Sequence, residues 1–227
     1  MRRLKKKRFK EKYIPNKIQR YKVKERVSFF NSKNLIFESE CPVYIFKICL
    51  IGSPAVGKTC IARRLCFDTF DFNTQLTIGI DFYTYDIPII VKGEKTFVRL
   101  TVWEFGGQEQ FKKLFRYYID GADGIFLVFD LANLKTLTKL DWWYHRLIEH
   151  NMLDRPKTLI GAKIDLVDEK SELFRNDEAI ILDFIKDHGK LNFIKTSAKE
   201  NINIQNLFRK LLKEVLELHD LEYDRIL

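Results

Sequence analysis

The chain has 227 residues, enough to bury one good core with length left over for an arm, and its 46% hydrophobic and 14% aromatic content excludes a disordered protein. Its formal charge of +9 is uneven: residues 1–40 hold 14 Lys and Arg against Glu11, Glu25, Glu38 and Glu40, and the remainder is nearly neutral. The high isoelectric point therefore belongs to the arm and gives no ground for treating the folded body as a charge-driven binder of nucleic acid or membrane.

The arm opens on Arg2-Arg3-Leu4-Lys5-Lys6-Lys7-Arg8-Phe9-Lys10 and continues with Lys and Arg interleaved with Phe, Tyr and Val. It lacks the apolar centre and small-residue cleavage site of a secretory signal. A solvated, flexible extension over 1–42 is the plain reading. Attraction to an anionic lipid surface comes next, since each basic residue near such a surface contributes about 1 kcal/mol. RNA binding is third, because no RNA-reading fold is recognisable. Position 2 is Arg and the chain ends Asp224-Arg225-Ile226-Leu227, so neither myristoylation nor prenylation is expected. Cys41, Cys49, Cys60 and Cys66 have neither CxxC spacing nor a nearby His cluster, as expected of thiols in a reducing cytosol. With no run of 18 apolar residues, the expected location is cytoplasmic, or peripheral at a membrane through residues 1–40.

Residues 43–51 are almost continuously apolar and β-prone, the pattern of a parallel strand buried on both faces. A glycine-bearing loop follows at once, then a helix over 61–66. Strand patterns over 81–91 and 95–103 are joined by Lys92-Gly93-Glu94, a hairpin signal that predicts antiparallel pairing. Further strands are predicted over 124–130, 157–162 and 191–195, and helices around 110–118, 137–150, 177–188 and 204–218. Trp142-Trp143 is expected to be packing on the helix over 137–150. After one early hairpin, the alternation predicts a doubly wound α/β sheet of about six strands with helices on both faces.

The loop reads Gly52-Ser53-Pro54-Ala55-Val56-Gly57-Lys58-Thr59, which is GxxxxGK[ST] in its required strand, loop and helix setting. Its glycines let backbone N–H groups turn inward around phosphate, and the following helix directs its positive end at the same anion. Lys58 is expected to reach the β- and γ-phosphates and the Thr59 hydroxyl to ligate Mg²⁺. These residues point to a nucleoside triphosphate without naming its base.

Beyond the loop come Leu76-Thr77-Ile78-Gly79-Ile80-Asp81-Phe82, Trp103-Glu104-Phe105-Gly106-Gly107-Gln108-Glu109, Gly161-Ala162-Lys163-Ile164-Asp165-Leu166 and Thr196-Ser197-Ala198-Lys199. In order and spacing, residues 43–218 resemble the Ras superfamily of small GTPases, most closely its Rab-like branch, with residues 219–227 left as a short tail. Gly106-Gly107-Gln108 is spelled as in the Arf-like branch. The resemblance implies a P-loop G domain with strand order 2-3-1-4-5-6, strand 2 antiparallel. It implies that Thr77 in the first switch completes the Mg²⁺ shell and that Glu104 holds the ion through water. Gly107 would donate its N–H to the γ-phosphate, and Gln108 would orient the attacking water. Phe70 would stand against the guanine, Asp165 would accept from its N1 and exocyclic amine, Lys163 would lie over it, and Ala198 N–H would meet its O6. Ser53, Pro54, Ala55, Val56, Gly57, Cys60, Ser197 and Lys199 would complete the nucleotide site.

Three positions depart from the family. Ala162 stands where it has Asn, which weakens nucleotide binding with guanine preference intact or else relaxes base choice. The first is expected because Asp165 and Ser197-Ala198-Lys199 remain. Glu104 stands for Asp, so the carboxylate must retract or meet the ion more directly. Pro54 stands where many relatives have Gly and removes an N–H from the loop. The expectation is a monomeric GTP/GDP switch with slow hydrolysis, read by effectors at residues 72–82 and 104–118 and served by exchange and GTPase-activating proteins. A hydrolysis-deficient scaffold tethered by the arm is the alternative.

Overall fold

In β1, Tyr44–Gly52, six of nine residues are buried, because both faces of this central strand are covered. Alternate residues feed opposite layers. Ile48 and Leu50 join Val98, Leu100, Val102, Phe126 and Val128 on one face, while Cys49 and Ile51 join Phe105, Ile125, Leu127 and Phe129 on the other. The computed structural model describes residues 41–189 and 191–227. The expectations for the basic arm, including its membrane contact, lie outside these residues.

From β1 the chain enters α1 (Lys58–Phe67), then the hairpin β2 (Ile80–Val91) and β3 (Glu94–Phe105). Two single-turn helices, α2 (Glu109–Lys112) and α3 (Phe115–Tyr118), precede β4 (Gly124–Asp130). Then follow α4 (Lys135–Thr138), α5 (Leu140–Glu149), β5 (Lys157–Ala162), α6 (Glu172–Asp187), β6 (Asn192–Lys195), α7 (Ile204–Leu218) and β7 (Arg225–Ile226). The sheet order is β6-β5-β4-β1-β3-β2-β7, parallel from β6 through β3, with β2 antiparallel to β3. The expected order of six strands is present, and the expected tail adds a seventh.

That seventh strand corrects the reading of 219–227 as a mere tail. Arg225 and Ile226 pair antiparallel with Ile90 and Ile89. The Asp224 N–H donates to Ile90 O, its carboxylate accepts from Gly93 N–H at 2.7 Å, and Leu227 N–H donates to Pro88 O. Leu221, Tyr223 and Ile226 pack against the core, so the exposed edge of β2 is covered by the chain itself.

α7 carries Leu207, Phe208, Leu211, Leu212, Val215 and Leu216 on one buried face, the period-3.6 stripe read from the sequence. Each fully buried side chain of this kind contributes about 1.5–3 kcal/mol. α6 begins five residues earlier than expected because the Ser171 hydroxyl caps it by accepting from Phe174 N–H. The helices expected around 110–118 and 137–150 are each broken in two. Trp143 is buried, and Trp142 packs at its edge. Among the described residues no helix is long and apolar enough to cross a membrane.

Candidate functional site

At the carboxyl ends of the parallel strands, four loops enclose a cavity of about 380 Å³. Pro54, Ala55, Gly57, Lys58, Thr59 and Cys60 come from the first loop and α1, Phe70 and Thr77 from the segment before β2, and Glu104, Gly107 and Gln108 from the end of β3. Lys163, Asp165, Ala198 and Lys199 come from the loops after β5 and β6. Ser53, Val56 and Ser197 are buried behind this wall. The fold thus gathers residues separated by more than 140 positions into one pocket.

Gly57 adopts φ 104°, which favours glycine, and this turn starts α1 at Lys58. The first turn of α1 carries no acidic side chain, leaving its positive end available to an anion. Lys58 is buried, and its Nζ donates to Gly52 O at 3.1 Å and Ser53 O at 2.8 Å, fixing the loop's curl. Burial lowers its pKa to about 8, with Glu104 opposing that shift. Gly107 lies directly on the loop: a Cβ there would come within 2.4 Å of Pro54 N and 2.5 Å of Gly52 O.

Beside Lys58, Glu104 Oε1 accepts from Thr59 Oγ1 at 2.5 Å and Thr77 Oγ1 at 3.0 Å. The two hydroxyl oxygens are themselves 3.1 Å apart. Burial raises the Glu104 pKa, against the lowering effects of the Thr59 hydrogen bond and Lys58. Two hydroxyls and one carboxylate form an all-oxygen donor set that fits a small, hard divalent cation. No group of three or more His, Cys, Asp or Glu side chains suited to a metal occurs among the described residues, so such an ion would need ligand oxygens as well.

At the other end, Ser197 Oγ donates to Asp165 Oδ1 at 2.5 Å, holding that carboxylate in the pocket wall. Lys163 Nζ bridges Ala55 O at 2.8 Å and Asp130 Oδ2 at 2.7 Å. It ties the loop after β5 to the phosphate loop, although the family's Asn is replaced by Ala162. Phe70 packs edge-on against exposed Phe72 at 4.8 Å, and both line the cavity. Gln108 is half-buried, and its Oε1 accepts from Gln110 Nε2 at 3.2 Å.

A model of the Ras family matches residues 47–217. Ras-related protein Rab-8A from Bos taurus is 36% identical over 172 residues, covering 76% of this chain and 79% of that protein. Ras-related protein Rab-10 from Diplobatis ommata is 36% identical over 173 residues, covering 76% and 82%. The Homo sapiens Rab-8B is 33% identical with similar coverage. The chain belongs to the Ras family. It is a Rab-like small GTPase, and its sheet order and loop positions follow from that membership.

Three supports of this small GTPase's site had no local signal in the sequence. Arg64 Nε donates to Ala198 O at 2.7 Å and its Nη2 to Lys199 O at 3.2 Å, while Nη1 pairs with Asp68. Asp130 holds Lys163, and Tyr83 Oη lies 3.4 Å from Glu104 Oε2. An Arg64→Ala variant leaves the Ala198 carbonyl without its charged donor, at a cost of about 1–3 kcal/mol. The expected result is nucleotide dissociation faster by roughly 5- to 150-fold, read by displacement of a fluorescent guanine nucleotide. The melting temperature should fall by about 2–4 °C per kcal/mol lost.

Proposed function

We propose that residues 43–218 form a switch that binds GTP or GDP with Mg²⁺ and hydrolyses GTP slowly. The observation that carries the base assignment is Asp165, oriented by Ser197 in the wall of the pocket that begins at Lys58 and Thr59. A carboxylate accepts from guanine N1–H and its exocyclic amine, whereas adenine offers neither donor on that edge. Ala162 removes one amide from this recognition, and Lys163 retains the tie to the phosphate loop.

Lys58 and the N–H groups of the loop would bind and orient the phosphates, and Thr59, Thr77 and, through water, Glu104 would hold the cation. When bound, Mg²⁺ supplies positive charge opposite the phosphate oxygens. Gln108 would position the attacking water once it releases Gln110. That prior engagement and the exposed ring of Pro54 at the cavity mouth support a slow intrinsic rate. Thr77 and Gly107 would connect the terminal phosphate to the two switch segments. Exposed Phe82 packs on Trp103 at 4.6 Å, Tyr118 lies 6.0 Å beyond, and Leu76, Ile78 and Tyr117 are also exposed. This apolar surface across both switch segments supports recognition by effectors, alongside exchange and activating proteins. The chain would act as a monomer, with residues 1–40 meeting an anionic membrane surface and no role in nucleic-acid binding.

The test is to extract and chromatograph the nucleotide from protein purified without added ligand, then to titrate labelled GDP, GTP and ATP with Mg²⁺. Guanine nucleotides are expected to bind at least about 100-fold more tightly than ATP. Equal or tighter ATP binding would sink the base assignment.

A further inference from the structure

We infer that Glu104 enters the inner coordination shell of the divalent cation, its Oε1 forming one triangular face of the shell with the hydroxyls of Thr59 and Thr77. The inference rests on the nucleotide and Mg²⁺ reading above and goes beyond it, because that reading has the carboxylate acting through water.

The sequence sets up the contact. Val98, Leu100, Val102 and Glu104 alternate along β3 toward the same sheet face, so Glu104 is the last of a buried apolar row. Its register opposite Asp81 places it beside the segment carrying Thr77, and the β1–β3 pairing places it beside the phosphate loop. The side chain is only 1% exposed. An aspartate on the same backbone would end one methylene short of the position that Oε1 occupies.

The distances identify that position. Octahedral Mg²⁺ binds oxygens at about 2.1 Å, so neighbouring ligands in its shell are about 3.0 Å apart. The Thr59 to Thr77 oxygen separation is 3.1 Å and the Thr77 to Glu104 separation is 3.0 Å, two edges of such a face. The third, Thr59 to Glu104, is 2.5 Å as a hydrogen bond and must open by roughly 0.5 Å when the hydroxyl turns its lone pair to the ion. A carboxylate acting through water would stand behind that water. Here Oε1 is in direct hydrogen-bond contact with both hydroxyls, as a neighbour in the same shell would be. Tyr83 Oη, 3.4 Å from Oε2, leaves Oε1 as the oxygen directed at the threonines.

With a triphosphate bound, the threonine hydroxyls, Oε1 and two phosphate oxygens leave room for a single water in a six-coordinate shell. The count is read on the full chain loaded with Mn²⁺ and a non-hydrolysable GTP analogue, from the broadening of the Mn²⁺ resonance by ¹⁷O-enriched water. One bound water is expected, and Glu104→Asp is expected to restore a second. Glu104→Gln, which keeps length and loses charge, should weaken Mn²⁺ binding by at least about tenfold. Two waters in the parent protein would overturn the assignment and return Glu104 to an outer role, whether or not the variants fold. A preparation that takes up neither guanine nucleotide nor Mn²⁺ would overturn the nucleotide reading itself, and the ligand assignment with it.

Discussion

A Gly107→Ala variant will keep GDP affinity within about threefold of the parent while losing roughly 10- to 150-fold in affinity for a non-hydrolysable GTP analogue, the worth of one hydrogen bond to a charged group. The cause is steric. A methyl at position 107 would lie 2.4 Å from Pro54 N and Ser53 C, both backbone atoms that the Lys58 contacts hold in place. The neighbouring residue cannot absorb the shift, because Gly106 N–H donates to Gly79 O and a Cβ at Gly106 would lie 2.7 Å from Thr77 O. The loop after β3 must therefore withdraw, taking the Gly107 N–H and Gln108 with it. A displacement near 1 Å costs about 100-fold in a positioned reaction, so single-turnover GTP hydrolysis should fall by that order. The overpacking costs about 1–3 kcal/mol, leaving a folded protein with a lowered melting temperature. Parallel titrations of GDP and the analogue check the claim, and an unchanged ratio between them would refute it.

Some parts of this molecule are legible in its sequence and others are not. β4 and β5 occupy the expected 124–130 and 157–162, because strands buried on both faces must be apolar throughout and end where polarity returns. The phosphate loop is legible for another reason: its spacing is imposed by the anion it wraps. β7 has no such signature. Two residues cannot display a period, and their pairing depends on Asp224 reaching Gly93 from 131 positions away. Arg64 is similar, since a basic residue in the last turn of a helix reads as solvated until the fold brings Ala198 to it. The Ser171 cap is a local feature, but the apolar period that signals this helix begins later than its cap.

Removing the Asp165 carboxylate is the sharpest test of base recognition. Asp165→Ala is expected to cost guanine nucleotides about 3–6 kcal/mol, or roughly 150- to 20,000-fold in affinity, since two hydrogen bonds to a charged acceptor are lost at about 1.5–3 kcal/mol each. ATP binding should change by less than about threefold, because adenine presents no donors to that carboxylate. The loss should not spread through the fold. Ser197 Oγ loses its acceptor at Asp165 but still accepts from Glu200 N–H, and Lys163 remains held by Asp130 and Ala55. Titration of both nucleotides on the same preparation separates the outcomes. A parallel fall for GDP and ATP would mean that Asp165 supports the loop without reading the base. A fall confined to GDP would place specificity on this carboxylate, with Ala162 as a position that tunes affinity.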